Sequence, residues 1–435
     1  MKRTIAAAVA AILGLVAFAA ASTAQDRPRD VKYVQAGRLL ADPAAGEVLA
    51  QKTVVVIDGK VAEIRDGFVG GADGEVVDLR DSFVLPGLID GHVHILDEGG
   101  PENRHNSVLM SEADFALSGA RYALITLRAG FTTVQDLGAG AGGDAIFALR
   151  DGIERGWVPG PRILAAGATI TPHGGHADFH GYREDVLHAL ARSSTCSGPE
   201  DCRRAVREQV KRGADVIKVT ATGGVLSNTA AGLAQQFTDE ELRAIVQTAH
   251  QLGRKVRAHA HGLDGINAAL RAGVDSIEHG SYLDDSSIRL FKQSGARLAP
   301  TILAGDFVMR EAQAGRLLPN QAVKAMQAGP LMLEAARRAR AAGVRFVFAT
   351  DTGVSRHGDN AQEFALLVRA GFTPLQAIQL ATTEGAASLG LESRIGRIRP
   401  GMEGDIIAVR GDPLTDVREL ERVSFVMKGG QVYRR

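Results

Sequence analysis

Short runs of apolar, β-branched residues recur along the middle of the chain, and each run stops at a polar residue or a glycine. Between about residues 87 and 389 these runs alternate with segments that carry helix start and stop signals. Such runs are typical of buried strands. Eight strands separated by helices predict a parallel sheet that closes into a (β/α)8 TIM barrel, an α/β fold. The expected strands are the one before His92, FTTVQDLG, PRILAAGATI, ADVIKVTA, KVRAHA, DSIEHG, ARLAPTIL and VRFVFATD.

Two helices between these strands have clear boundary signals. Ser111 with Asp114 is expected to open a helix that Gly130 closes. Thr238 with Glu241 forms a capping-box pattern, and a glycine follows that helix at position 253. A Ser or Thr with an acidic residue three positions later satisfies free N–H groups of a first helical turn, and glycine adopts the left-handed conformation that ends many helices.

The two ends of the chain have a different pattern. VKYVQAGRLL, KTVVVIDGKVAEI and EVVDLRDSFVLPG are strand-like segments separated by Gly, Asp and Pro turns, and IGRIRPGMEGDIIAVRGDPL and VSFVMKGGQVYRR repeat this texture near the carboxyl terminus. We therefore expect residues 25–86 and 390–435 to form one small β-sandwich domain, and residues 87–389 to form the barrel.

The first 24 residues are expected to be a secretory signal peptide. Lys2 and Arg3 precede an apolar stretch from Ile5 to Ala21, and a small-residue cleavage site ends at Ala24. The alternative is a membrane anchor, but roughly 17 residues fall short of the about 20 that a spanning helix needs. The mature protein is therefore expected in the periplasm, without a stable membrane anchor.

Composition and charge narrow the range of partners. The 435 residues include 50 basic and 50 acidic side chains, and cleavage after Ala24 would leave a net charge of about −2. No basic patch is evident, so nucleic acid is not an expected partner. The only two cysteines, Cys196 and Cys202, are expected to bridge in an oxidising compartment, the alternative being two free thiols.

Candidate metal ligands stand at or just past the ends of several expected strands. Strand ends converge on one face of a barrel, so residues far apart in sequence can meet there. In the HVH segment, alternation with period two places two imidazoles on one side of a strand, where both can bind one metal. The candidates are His92, His94, Lys218, His259, His279 and Asp351.

His261 makes the assignment at one strand end ambiguous, because it forms a second H-x-H pair with His259. We take His259 as the ligand and His261 as a residue of the pocket. Asp351 ends the last expected strand, where a carboxylate can accept a proton from a metal-activated water. The alternative role for Asp351 is to cap the following helix.

Lys218 is the unusual member of this set. A free lysine has a pKa of about 10.4 and is cationic at neutral pH, so it binds a metal only when neutral or after its amine adds carbon dioxide. The resulting carbamate has two oxygens and can bridge two metals. The alternative is a lysine at the edge of the core, paired with a carboxylate.

The segments VLPGLIDGHVH, IKVTATGG, RAHAHG, SIEHG, FATD and IGRIRPGMEGDIIAV resemble the amidohydrolase superfamily, in its dinuclear form with a carboxylated lysine. Within it, TPHGGHADFH, AHAHG and ATGGVLS resemble the branch of Xaa-Pro dipeptidases and imidazolonepropionase-like amidohydrolases, which includes enzymes that cleave ochratoxin A. The resemblance implies two divalent ions per subunit, with zinc expected, and attack on an amide by a hydroxide that the two metals share.

The resemblance also implies a role for each residue. His92, His94 and Asp351 would hold the more buried metal. His259 and His279 would hold the second metal, and Lys218, as N6-carboxylysine, would bridge the two. Asp351 would also carry the proton of the attacking hydroxide to the leaving amine.

The expected substrate is a small amide or peptide, such as a dipeptide or N-acyl amino acid with a free carboxylate. His176 would hydrogen-bond the substrate carbonyl or carboxylate, with His173 as the competing candidate. Backbone N–H groups of Gly223 and Gly224, with His261 nearby, could bind the carboxylate. The long loops after the strands suggest a partly covered site that a neighbouring chain completes, so we expect a homo-oligomer.

Two other functions stay open at this point. The first is a mononuclear cyclic-amide hydrolase or deaminase of the imidazolonepropionase type, which would not need a bridging carbamate on Lys218. The second is a periplasmic metal- or ligand-binding protein without catalytic activity. The full ligand set together with Asp351 argues against this second alternative.

Overall fold

The structure is a computed structural model that describes residues 29–100, 103–229 and 231–435. The expected signal peptide, residues 1–24, lies outside the described residues. Across the described ranges, no helix has both the length and the apolar character needed to cross a bilayer.

The described chain alternates strands and helices through its middle and carries further strands near both ends. The strands are β1 (Val31–Leu39), β2 (Leu49–Ile57), β3 (Lys60–Asp66), β4 (Glu75–Pro86), β5 (Leu88–Val93), β6 (Phe131–Asp136), β7 (Arg162–Ala165), β8 (Thr171–Pro172), β9 (Thr195–Cys196), β10 (Ile217–Thr220), β11 (Val256–Ala260), β12 (Ser276–His279), β13 (Arg297–Ala299), β14 (Arg345–Phe346), β15 (Ile406–Val409), β16 (Phe425–Lys428) and β17 (Gln431–Arg434). The α-helices are α1 (Asn103–Leu109), α2 (Glu112–Arg128), α3 (Ala145–Glu154), α4 (Glu184–Leu190), α5 (Pro199–Arg212), α6 (Asp239–Gln251), α7 (Leu263–Ala272), α8 (Asp285–Ser294), α9 (Ile302–Gln313), α10 (Pro319–Ala341), α11 (Gln362–Arg369), α12 (Pro374–Leu380) and α13 (Thr383–Leu389).

Eight parallel strands form the centre of this α/β fold. They lie in a three-stranded sheet, β5-β6-β7, and a five-stranded sheet, β10 to β14, each in chain order. Backbone hydrogen bonds also join the sheet edges. The amide of Asp215 donates to the carbonyl of Ala165 at 2.8 Å, and the amide of Asp351 donates to the carbonyl of His92 at 2.8 Å. The carboxyl ends of β5 and of the β14 segment are therefore neighbours.

The strand near position 297 is shorter than the ARLAPTIL pattern predicts. β13 ends at Ala299, and α9 begins at Ile302. Pro300 has no N–H to donate to a neighbouring strand. Thr301 has a φ of 46°, a left-handed conformation that breaks the extended chain. The apolar residues after Pro300 therefore belong to a helix.

The two predicted helix starts are confirmed. The Ser111 side chain accepts from the amide of Asp114 at the start of α2, and Thr238 accepts from Glu241 at the start of α6. α5 begins at Pro199, two residues after the segment that holds Cys196 and Ser197. The predicted pairing of Cys196 with Cys202 is present as a disulfide that joins β9 to the first turns of α5.

Strands from both chain ends lie in one seven-stranded sheet, which we call the terminal sheet. Its order is β17-β16-β15-β4-β1-β2-β3, so the last three strands extend the sheet that the first four begin. β15 pairs antiparallel with β4, with Ile406 opposite Pro86. Val34, Val54 and Met427 belong to its buried apolar core. Strands from the two ends of the chain therefore pair with each other, as predicted. The domain boundaries and the arrangement as a sandwich stay predictions.

Candidate metal centre and active site

A pocket at the carboxyl ends of the parallel strands gathers most of the predicted site residues. The structure does not bring His173 there, since its side chain is 84% exposed and lies 4.0 Å from Asp178. The predicted residues that line the pocket are His92, His94, His176, Lys218, His259, His261, His279 and Asp351.

One group of possible metal ligands consists of His92, His94 and Asp351. The Nδ1 atom of His92 lies 2.8 Å from a carboxylate oxygen of Glu278, and Nδ1 of His94 lies 2.9 Å from the carbonyl oxygen of Gly138. Carbonyl and carboxylate oxygens only accept, so each ring carries its proton on Nδ1. In the neutral rings, the two Nε2 atoms therefore present lone pairs.

These lone pairs converge on the carboxylate of Asp351. Its Oδ1 atom lies 3.3 Å from Nε2 of His92 and 3.0 Å from Nε2 of His94. Three acceptors that face one another repel, unless a proton or a cation lies between them. Two imidazoles and a carboxylate are donors that zinc binds. The residues present therefore fit a divalent cation at this point.

A second group consists of His259, His261 and His279. Burial lowers the pKa of His261 to about 4 and holds the pKa values of the other two well below the usual range, so all three rings are neutral at pH 7. Nδ1 of His279 lies 2.7 Å from Oγ1 of Thr301, and Nδ1 of His261 lies 2.8 Å from Oγ of Ser281. Neutral, oriented imidazoles are what metal binding requires.

Within this group, His261 lies as close to His259 and to His279 as those two predicted ligands lie to each other. Its ring centroid lies 4.8 Å from that of His259 and 4.7 Å from that of His279, while His259 and His279 are 4.6 Å apart. The geometry therefore leaves His259 and His261 both within reach of a metal near His279.

Lys218 lies beside the first group and is buried. Its Nζ atom is 3.1 Å from Nε2 of His92. Burial lowers the pKa of the Lys218 amine, which favours the neutral form that can react with carbon dioxide. The alternative of a lysine paired with a carboxylate predicts an ion pair, and no ion pair to Lys218 occurs within the described ranges.

Two buried carboxylates that support the site are absent from the predicted set. Glu278 orients His92, and Asp90 accepts from the Thr350 hydroxyl at 2.6 Å and from the Asn360 amide at 2.8 Å. Burial raises the pKa of Asp90 to about 7. Asp90 follows the apolar run VLPGLI, and a charged residue next to such a run is the signal that could have identified it.

His176 reaches the pocket because a neighbouring glycine leaves room for it. A Cβ atom at Gly224 would lie 2.2 Å from the His176 ring, and a Cβ at Gly223 would lie 2.1 Å from the carbonyl oxygen of Gly232. The His176 ring centroid is 4.3 Å from that of His259, and its Nδ1 is 2.8 Å from Oγ of Ser227. Burial lowers the pKa of His176 to about 3, so the ring is neutral.

Part of the pocket lining is apolar, and we call this part the apolar wall. It comes from the loop after β10, from α9 and α10, and from the segment after Asp351. Its residues are Val225, Leu226, Ala304, Gly305, Val308, Gly329, Met332 and Val354. The pocket lining thus combines candidate metal ligands with hydrocarbon.

Three residues of the site hold backbone conformations that glycine adopts more easily. His279 has a φ of 73°, Asp351 of 59° and Thr301 of 46°. Such conformations cost on the order of 1 kcal/mol each for residues with a Cβ. The surrounding structure holds them, and the side chains of His279 and Asp351 point into the pocket as a result.

Comparison with known proteins identifies the family. The chain is 34% identical to the ochratoxinase of Aspergillus niger over 432 residues, which cover 93% of this chain and 87% of that protein. A crystal structure of a Xaa-Pro dipeptidase with methionine bound in its active site is similar with a TM-score of 0.86 and 37% identity, and covers 93% of this chain and 100% of that one.

A prolidase complexed with N-methylphosphonate-L-proline has a TM-score of 0.84 and 29% identity over 93% of this chain and 100% of its own. Residues 83–433 match the amidohydrolase family over most of the described chain. The metal-binding geometry and these matches lead to one conclusion: the chain belongs to the amidohydrolase family.

Proposed function

We propose that this protein is a dinuclear metal-dependent hydrolase that cleaves the amide bond of dipeptides or N-acyl amino acids with a free C-terminal carboxylate. The observation that carries the proposal is the convergence of the Nε2 lone pairs of His92 and His94 on Asp351, next to a buried Lys218 that has no ion-pair partner among the described residues. A cation resolves the repulsion among the acceptors, and a carbamate on the lysine would supply a second set of ligand oxygens.

His92, His94 and Asp351 would hold one metal, and His279 with His259 the second, while His261 competes with His259. Lys218 would bridge them as a carbamate. Zinc is the metal that this set of nitrogen and oxygen donors suits best. Bound at this position, the metals would supply Lewis-acid activation of water and of the scissile carbonyl.

The residues of the chain would then move protons and position the substrate. Asp351 stands where a carboxylate can take the proton of the attacking water and deliver it to the leaving amine. His176 lies next to His259, where its ring can donate to the carbonyl oxygen that gains negative charge. This donation requires the proton on Nε2, and therefore a hydrogen bond from the Ser227 hydroxyl to Nδ1.

The substrate class is inferred from the relatives and from the apolar wall. Ochratoxinase and Xaa-Pro dipeptidases are named for substrates with an amide bond next to an amino-acid carboxylate, and we transfer that class to this chain. Val308 and Met332 would contact the side chain of the residue that carries the carboxylate. We therefore propose a preference for apolar residues at that position, and ochratoxin A is one candidate substrate.

Further parts of the proposal concern fold and assembly. The hydrogen bonds between the edges of the two parallel sheets support a closed (β/α)8 barrel, and the terminal sheet would form the sandwich. Export to the periplasm is proposed from the signal-like residues 1–24, and the Cys196–Cys202 disulfide is in keeping with it. A homo-oligomer is proposed from the long loops around the pocket.

Metal analysis tests the dinuclear assignment. Protein loaded with zinc and bicarbonate should contain two metal ions per chain by mass spectrometry, and Lys218→Ala should lose at least one of them. Added acetate or propionate should partly restore activity to Lys218→Ala, because a small carboxylate can occupy the place of the carbamate. One metal per chain that Lys218→Ala does not change would favour the mononuclear, imidazolonepropionase-like alternative.

A substrate pair tests the reaction class. L-alanyl-L-phenylalanine and its C-terminal amide differ only in the carboxylate. We expect the free acid to be hydrolysed about 100-fold more efficiently, since a buried carboxylate that finds its donors contributes on the order of 3 kcal/mol. Equal values of kcat/KM for the two compounds would contradict recognition of the carboxylate.

A further inference from the structure

A buried lysine outside the ligand set stands behind one wall of the pocket. Lys324 belongs to α10, and only 4% of its surface is exposed. Its Nζ atom donates to three backbone carbonyls of the segment after β10, those of Gly224 at 2.8 Å, Ser227 at 2.7 Å and Thr229 at 3.3 Å. An ammonium group has three N–H donors, and all three are used here.

The same helix holds a further carbonyl of this segment, which we call the 224–229 loop. Gln321 lies one turn before Lys324, and its Nε2 donates to the carbonyl oxygen of Leu226 at 2.6 Å. Carbonyl groups along the loop therefore turn toward α10. Among the described residues, no acceptor is bonded to the backbone N–H groups of Gly224, Val225 and Leu226. Val225 and Leu226 line the pocket.

The charge of Lys324 is not compensated by an acidic side chain. No ion pair involves Lys324 across the ranges that the structure describes, and burial lowers the pKa of its amine. Its charge also contributes to the lowered pKa values of His176 and His261, after the larger effect of burial, so its field reaches the pocket. A buried cation without a counter-charge is costly, and an anion bound nearby offsets that cost.

We propose that Lys324 is a positioning residue for the substrate carboxylate: it holds the 224–229 loop with free N–H groups facing the pocket and supplies the opposite charge behind it. The inference rests on the proposed function and deepens it. Lys324 acts through the loop, because its three N–H donors are already bonded to carbonyls. Backbone N–H groups with a cation behind them form the kind of concave site that binds carboxylates and phosphates.

The same contacts bear on His176. The Ser227 hydroxyl lies 2.9 Å from the carbonyl oxygen of Gly224 and 2.8 Å from Nδ1 of His176, and it can donate to only one of them. When the hydroxyl donates to Nδ1, the imidazole proton lies on Nε2, the position from which His176 can reach the substrate. A carbonyl oxygen can accept two hydrogen bonds, so this choice does not depend on Lys324.

The test compares Lys324→Met with the wild type on L-alanyl-L-phenylalanine and its C-terminal amide. We expect the preference for the free acid to fall at least tenfold in Lys324→Met, mainly through a higher KM for the acid. The value of kcat/KM for the amide should change less than threefold. Lys324→Arg should keep much of the preference because it keeps the charge. Lys211→Met, at an exposed site on α5, is the matched control and should leave both values unchanged.

The possible outcomes separate the two hypotheses. A wild type without preference for the acid overturns the proposed substrate class, whatever the variant does. A wild type with the preference, together with Lys324→Met that keeps it, overturns the role of Lys324. If circular dichroism shows that Lys324→Met does not fold, the ratio of kcat/KM for acid and amide is measured in Gln321→Leu instead. This variant weakens the hold on the loop and keeps the cation. A fall of about threefold supports the role of the loop, and an unchanged ratio overturns it.

Discussion

Two regions of this molecule that hold buried or half-buried charges are arranged in opposite ways. Where the terminal sheet meets the amino end of β7, Arg162 donates to Asp405 at 3.0 Å, and the other oxygen of Asp405 accepts from the amide of Gly429 at 2.8 Å. Lys428 donates to the carbonyl oxygen of Gly160 at 2.6 Å. Each charge at this seam has a partner of complementary type.

At the other end of the strands, acceptors of the pocket face one another. Lone pairs of His92 and His94 face Asp351, and Lys324 behind the pocket donates to three carbonyls, with no carboxylate partner in the part of the chain that the structure describes. The seam stabilises the folded chain by itself, whereas the pocket, under the proposed function, is complete only with metal and substrate. Matched substitutions in the two regions should therefore separate stability from activity.

The largest expected effect is that of Asp351→Asn. The amide cannot accept the proton of the attacking water, so kcat should fall about 10³-fold or more. Metal content by mass spectrometry and the thermal midpoint should stay close to those of the wild type. Turnover within tenfold of the wild type, at equal metal content, would rule out the proton-transfer role.

Asp405→Asn is the corresponding change at the seam and should have the opposite profile. It removes the charge that faces Arg162, and breaking a buried pair in this way costs about 3 kcal/mol in the free energy of unfolding. Urea denaturation measures this loss, while kcat with saturating metal should stay within twofold. A large loss of kcat in a variant that is fully folded under the assay conditions would show that the two regions are coupled.

His176→Asn and His173→Ala compare two histidines three residues apart. His176 lies in the pocket, so its replacement should lower kcat/KM about 10²-fold, the usual effect of losing one donor to a developing oxyanion. The exposed His173 should be replaceable with less than a twofold change in kcat/KM. Equal losses would mean that the segment as a whole, and not the His176 ring, matters for the reaction.

The smallest expected effect is a pH dependence of stability at the seam. Burial lowers the pKa of Lys428 from 10.5 to about 8, so between these values the unfolded chain binds more protons than the folded one. The free energy of unfolding should therefore rise with pH from 8 to 10.5, by on the order of 2 kcal/mol relative to Lys428→Met. Urea denaturation of both proteins at pH 7.5 and pH 10 measures the difference, and parallel curves would contradict it.

The sequence predicts the meeting of the site residues better than it predicts their surroundings. Carboxyl ends of successive parallel strands share one edge, and period two fixes the geometry of His92 and His94, so local pattern is sufficient for them. Glu278 meets His92 across 186 positions, and Lys324 meets Gly224 across 100. Contacts of that kind depend on how helices and strands pack, which no local pattern encodes.

Strand length and the choice between His259 and His261 show the same limit. Apolar runs do not reveal that Pro300 and a left-handed Thr301 end β13 early. Alternation places His259 and His261 on one side of the strand, but it does not say which of the two rings would bind a metal. The first question is decided by the backbone conformation at Pro300 and Thr301, and the second stays open.

The left-handed backbone at His279, Thr301 and Asp351 has an evolutionary consequence. At such positions a mutation to glycine relieves strain. Where selection maintains the fold but no longer the activity, these residues should be among the first to be replaced. Descendants of this protein that lose their substrate should therefore keep the fold, gain thermal stability and carry glycine at these positions. Among related sequences, glycine at position 279 or 351 would mark lineages in which the chemistry has been abandoned.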